Sequence, residues 1–140
     1  MKGTVSTLAL IATPFILSAC ASVGSQIAHE DLQHHHWNLL SINDQAVDSD
    51  IKSDLEIGEQ FKINGKAGCN RFFGEAKLEK NKLAAPHLAT TMMACSDEAQ
   101  EIESAVLNTL GQGAKVTIKD QQLTLKGEQY TLVYQLADWM

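Results

Sequence analysis

Between Val116 and Tyr134 apolar residues recur at every second position: Val116 and Ile118, then Leu123 and Leu125, then Tyr130, Leu132 and Tyr134. Successive side chains point to opposite faces of a strand, so this spacing commits the segment to half-buried β structure. Asp120-Gln121 and Gly127-Glu128 interrupt it with turn formers, which divides it into three strands of a meander. A sheet with one apolar face must bury that face against another layer, and the rest of the chain has to supply it.

A helix is the obvious cover. Ala99, Ile102, Val106, Leu107 and Leu110 fall on one face at helical spacing, with Glu98, Glu101 and Glu103 in the early turns. Asp97 with Gln100 predicts the N-cap and capping box, and Gly111 the C-terminal cap. Upstream, Trp37–Ile42 reads as a first strand and Asn43-Asp44 as a turn, with the chain doubling back through Ala46 and Val47. Leu55, Ile57, Phe61 and Ile63 alternate around Gly58, a glycine expected to mark a bulge or bend. Asn64-Gly65 and Lys80-Asn81 read as turns, 71–78 as a strand, and 83–88 and 90–94 as two short strands. The fold class is therefore mainly β (α+β), an antiparallel sheet curled over one packed helix.

The N-terminus carries a different signal. Lys2 precedes a mostly apolar run from Val5 to Leu17 that ends in Leu17-Ser18-Ala19-Cys20. A short positive region, a short apolar region and small residues at a cleavage point form a secretory signal. The cysteine directly after them resembles the lipobox of bacterial lipoproteins, which makes Cys20 the lipidated residue and anchors the chain to a membrane. A spanning helix needs roughly 20 apolar residues; here the run is shorter and Pro14 interrupts it. The division is then 1–19 signal peptide, 20–33 lipidated N-terminus and tether, and 34–140 folded domain. Ala21 and Ser22 stand where inner-membrane lipoproteins of the enterobacterial type carry aspartate. The expected address is the periplasmic face of the outer membrane.

Formal charge is −6, and loss of Lys2 with the signal takes it to −7. An acidic domain is a poor match for nucleic acid. With Cys20 lipidated, Cys69 and Cys95 remain, and two thiols in an oxidising compartment point to a disulfide. A pair of metal ligands and two unbridged buried thiols stay open as alternatives, though neither cysteine has the close-spaced Cys or His neighbour of a structural zinc site.

Other constellations carry less. His34, His35 and His36 are consecutive, so they cannot converge on one ion from a strand, and they read as solvated. Asp48, Asp50, Asp54 and Glu59 have a calcium-loop spacing, but Lys52 occupies a ligand position and Ser53 replaces the turn glycine; the segment reads as a solvated loop. Gly65-Lys66-Ala67 lacks the Ser or Thr of a phosphate loop, and His87 has no nucleophile assigned to it. No metal, no cofactor and no catalytic residue is expected.

Gly68-Cys69-Asn70-Arg71-Phe72, then Thr90-Thr91-Met92-Met93-Ala94-Cys95, a helix, and Leu123-Thr124-Leu125 together resemble the META domain. Leu32-Gln33-His34-His35 and the ending Leu136-Ala137-Asp138 add to the likeness, which runs from about residue 32 to the C-terminus. The resemblance implies a small antiparallel barrel-like fold with a helix and a link to envelope stress. It brings no established reaction. The motif residues it marks are Asn70, Arg71, Phe72, Thr91, Met92 and Met93.

Phe72 and Phe73 are adjacent on a strand, so one faces in and one out, and the same is expected of Met92 and Met93. The outward members, with Trp139, form the candidate contact surface for an envelope protein partner; burial under the helix is the competing account. The expectation is a non-enzymatic binding and stress-response module on the envelope. The alternative is a carrier holding a small apolar ligand in a barrel pocket.

Overall fold

The computed structural model describes Gly3 and residues 25–138. The signal segment, Cys20, the first residues of the tether and Trp139 lie outside the described residues. Among the described residues no helix is long and apolar enough to cross a membrane.

A short 3-10 turn, His29–Asp31, leads into β1 (His35–Ile42) and the two-residue β2 (Gln45–Ala46). Then come β3 (Asp54–Ile57), β4 (Lys62–Lys66), β5 (Arg71–Glu75), β6 (Lys77–Glu79), β7 (Lys82–Ala84) and β8 (Ala89–Thr90). Helix α1 (Asp97–Gln112) is followed by the meander β9 (Ala114–Lys119), β10 (Gln122–Lys126) and β11 (Thr131–Leu136). All pairings are antiparallel, in the order β6-β7-β9-β10-β11-β1-β3-β4-β5-β8, with β2 beside β1. The sheet curls into a half-barrel whose two end strands, β6 and β8, are not paired with each other among the described residues. The expected mainly β fold with one helix is what the structure has.

Three hairpins turn on two residues that both have positive φ: Asn43-Asp44, Lys80-Asn81 and Asp120-Gln121. That conformation matches the right-handed twist of the flanking strands, and Asn and Asp enter it at little steric cost. Inward-facing residues of the sheet, including Trp37, Leu55, Ile63, Phe72, Leu125 and Tyr134, share one core with Ile102, Ala105, Val106 and Leu110 of α1. At roughly 25 cal/mol per Å² of apolar surface removed from water, this shared burial is the main force holding helix to sheet.

Several boundaries differ from the sequence reading. The N-cap is Ser96, not Asp97: its hydroxyl accepts from the Ala99 amide at 3.3 Å. Asp97 is the first helical residue, and Gln100 donates to the Cys95 carbonyl instead of closing a capping box. The helix runs past Gly111 and stops at Gly113, whose φ is +88°. Asn64-Gly65 is not a turn but lies inside β4. A Cβ at position 65 would run into the Asp54 carbonyl oxygen, so this glycine serves a close backbone approach. The reversal comes later, where the Ala67 amide donates to the Asn70 carbonyl at 2.9 Å. The expected strand over 71–78 is two strands, and strand structure after 89 ends at Thr90.

Candidate functional site

The reversal between β4 and β5 presents Asn70, a buried side chain whose hydrogen-bonding groups have protein partners. Its Oδ1 accepts from the Thr91 hydroxyl at 3.0 Å and from the Met93 amide at 2.6 Å. Its Nδ2 donates to Glu103 Oε1 at 3.2 Å and to the Met93 carbonyl at 3.4 Å. The Asn70 amide donates to Glu103 Oε2 at 2.8 Å. Arg71 extends the lock: its amide donates to Thr91 Oγ1 and its carbonyl accepts from the Thr91 amide, both at 3.0 Å. An amide side chain buried this way satisfies donors and acceptors that the strand ladder leaves open.

Cys69 and Cys95 are bonded, with 6.0 Å between their Cα atoms. Bond and lock together fasten residues 91–95 to the β4–β5 reversal on one side and to the start of α1 on the other. Gly68 lets the helix sit close: its φ is +100°, and a Cβ there would lie 2.8 Å from the Ala99 carbonyl oxygen.

This edge displays the apolar residues singled out from the sequence. Phe72 faces the core at 1% exposure and Phe73 faces solvent at 55%. Phe72 is therefore part of the core and not of the contact surface. The methionines do not follow the expected alternation: Met92 is 95% exposed and Met93 59%. Residues 91–96 are outside the strand ladder, so the in-out rule of a strand does not govern them. Phe73 pairs with Ala89 of β8, and the chain continues from there through Thr90 and Thr91 to the two methionines. Trp139 lies outside the described residues.

The histidines are divided among different roles. His34 is exposed with positive φ. His35 Nδ1 lies 2.8 Å from Asp138 Oδ2, and Asp138 Oδ1 accepts from the His36 amide at 3.1 Å. The Ala137 amide donates to the His36 carbonyl at 2.8 Å, completing a clasp of the C-terminus on β1. The slight desolvation of Asp138 acts to raise its pKa. The His36 amide and the His35 ring outweigh it and hold the carboxyl below its ordinary value. His36, expected to be solvated, is buried, with Nε2 3.6 Å from Asp54 Oδ2. Asp54 also accepts from the Lys66 amide at 2.6 Å, and Asp48 accepts from the Asp50 amide at 2.9 Å. The segment with calcium-loop spacing is thus half sheet and half turn, not one solvated loop.

An open groove of about 720 Å³ runs between the β1–β2 hairpin and the first half of α1, floored by Ile42, Val47, Ile102 and Tyr130 and edged by Asp97, Glu98 and Glu101. The interior of the half-barrel, where a carrier would hold its ligand, is filled by Trp37, Tyr134, Phe72 and the leucines around them.

Glu103 escaped the sequence reading. The sequence marks it only as one of several acids in the early turns of the helix. The faint signal was its spacing: it follows Ala99, which packs on Gly68, by one helical turn.

Comparison with known proteins agrees with this architecture. The META domain profile matches residues 30–139. Heat shock protein HslJ of Escherichia coli (strain K12) is 37% identical over 135 residues, covering 94% of this chain and 96% of that protein. One protein structure solved by NMR aligns with a TM-score of 0.74 at 39% identity, over 82% of this chain and 99% of the other. Another, from Burkholderia xenovorans, aligns at 0.66 and 25% identity, over 99% of this chain and all (100%) of the other. The chain belongs to the META domain family.

Proposed function

We propose that the chain is a lipid-anchored envelope protein that acts without catalysis, docking on another envelope protein through the edge that carries Phe73, Met92 and Met93. One observation carries this reading. Met92 and Met93 stand 95% and 59% exposed on a segment that a disulfide and the Asn70 lock fasten, and Phe73 of β5 stands 55% exposed on the same edge of the sheet. Exposed apolar side chains on a rigid frame lose little conformational entropy on binding, and methionine adapts to varied surfaces. The frame itself makes poor catalytic machinery. Glu103 is held by Asn70, Asp138 by His35 and the His36 amide, and Asp54 by the Lys66 amide. The filled interior weighs against the carrier reading.

The anchor rests on the Leu17–Cys20 box. Lipid at Cys20 raises the effective concentration of the domain near envelope partners, and the outer membrane is the address that Ala21 and Ser22 favour. The name of the E. coli relative supports a part in the heat-shock response. Cys20→Ala tests the anchor: labelled fatty acid should be absent from the variant and present in the parent, and equal labelling would refute it. Phe73→Ser, Met92→Ser and Met93→Ser test the surface. Each should change unfolding free energy by no more than about 0.5 kcal/mol, as exposed positions do; losses of several kcal/mol would place these side chains in the core.

A further inference from the structure

The fold brings a third ligand to the two cysteines. One Sγ from each of Cys69 and Cys95 and a carboxylate oxygen of Glu103 lie within 4.8 Å of one another. We propose that reduction of the Cys69–Cys95 bond opens a binding site for a thiophilic divalent cation of the zinc type, held by these three side chains with water in the fourth position.

The geometry fits such an ion. Zinc with thiolate and carboxylate ligands at about 2.0 to 2.3 Å in a tetrahedron keeps those ligand atoms within roughly 3.8 Å of each other. In the bonded state the two sulfurs lie closer together than that and reduction lets them part, while a Glu103 carboxylate oxygen already lies within 4.8 Å of both. The three residues come from the β4–β5 reversal, the segment ahead of α1 and α1 itself. Half-burial leaves the ion a path in while shielding its ligands. Glu103 is also oriented in advance: Oε2 accepts from the Asn70 amide at 2.8 Å and Oε1 from Asn70 Nδ2 at 3.2 Å. Hydrogen bonding of a carboxylate from behind is how metal sites fix their acidic ligands.

The electrostatics point the same way. Cys95 immediately precedes the N-cap Ser96 and so stands at the positive end of the α1 dipole. The Glu103 carboxylate opposes two thiolates beside it. A divalent cation resolves that opposition by neutralising two of the three negative charges. The chemistry balances with a dithiol as reductant. Two electrons and two protons pass from the dithiol to the Cys69–Cys95 bond, the S–S bond breaks to two thiols, and the dithiol closes to its own disulfide. The incoming cation then displaces both thiol protons to solvent as two metal–sulfur bonds form.

The test uses the full mature chain in detergent, oxidised or reduced with a phosphine that adds no competing thiol, and cadmium as the probe. The reduced protein should take up one cadmium per chain with a thiolate charge-transfer band, and the oxidised protein none. Glu103→Gln should weaken binding by about tenfold or more, and joint Cys69→Ser and Cys95→Ser should abolish the band. The cadmium resonance of the wild-type chain should report two sulfurs with oxygen, a reading that stands even if Glu103→Gln fails to fold. Absence of the band, unchanged affinity in a folded Glu103→Gln, four-sulfur coordination between two chains, or loss of the fold on reduction would each overturn the proposal.

Discussion

Tyr134 sits fully buried opposite Leu39 in the β1–β11 ladder, and its hydroxyl meets no hydrogen-bonding protein group among the described residues. Burial, aided by the nearby Asp54, pushes its phenol far above the ordinary value, so it stays neutral. An unpartnered buried hydroxyl costs desolvation without return, on the order of 1–3 kcal/mol. Tyr134→Phe should therefore leave unfolding free energy unchanged or raise it by about 1 kcal/mol; a loss of 2 kcal/mol in denaturant titration would mean the hydroxyl is bonded. Asp138 behaves oppositely. Because its folded pKa is depressed, its contribution is present above the ordinary aspartate value of about 3.9 and is lost as pH falls through the lower folded value. The stability gap between the parent and Asp138→Asn should be visible at neutral pH and close as pH falls below the ordinary carboxylate range; a carboxyl midpoint at or above the ordinary value would contradict the clasp. At this scale the sequence was legible where a ladder governs. Phe72 and Phe73 alternate as strand residues must, whereas Met92 and Met93 do not, because they lie outside the ladder and the Asn70 side chain, not a neighbouring strand, holds the Met93 backbone.

Among the elements, the hairpins and the helix face were readable because each depends on a few adjacent residues. Asn43-Asp44 and Asp120-Gln121 take positive φ where the apolar alternation pauses. Asn64-Gly65 looked the same, yet its glycine answers a long-range constraint, the passage of β3 close to β4, that no local window contains. The helix start slipped by one residue because Ser96 and Asp97 are both good caps and only the packed position of the turn selects between them. The bond between Cys69 and Cys95 ties a sheet reversal to that helix start across 26 residues. A loop of this size gives about 3 to 4 kcal/mol in the chain-entropy account. Reduction should lower the denaturant midpoint by the corresponding amount, and alkylation of unfolded, unreduced mature protein should label neither thiol. Full labelling of both would refute the bridge. Gly68→Ala should cost more than an ordinary surface change, since it combines a positive φ with collision on α1, and a variant as stable as the parent would contradict that packing.

At the scale of the molecule, the half-barrel has two end strands with no further strand beside them among the described residues, and the β8 end continues into a segment with exposed methionines. The class of fold followed from alternation and one amphipathic helix. The candidate contact residues Phe73, Met92 and Met93 were also legible in the sequence; how their edge is held was not, since it depends on Asn70, Thr91 and Glu103 meeting across the chain. The proposed role requires that edge to be a docking surface at the envelope. The most direct measurement places a photoreactive residue at Met92 in living cells, with Lys126 on distant β10 as the control position. Irradiation should join position 92 to one discrete envelope protein, the adduct should vanish when Phe73→Ser is added, and position 126 should give none. Equal adducts from both positions, or none from position 92, would contradict the account.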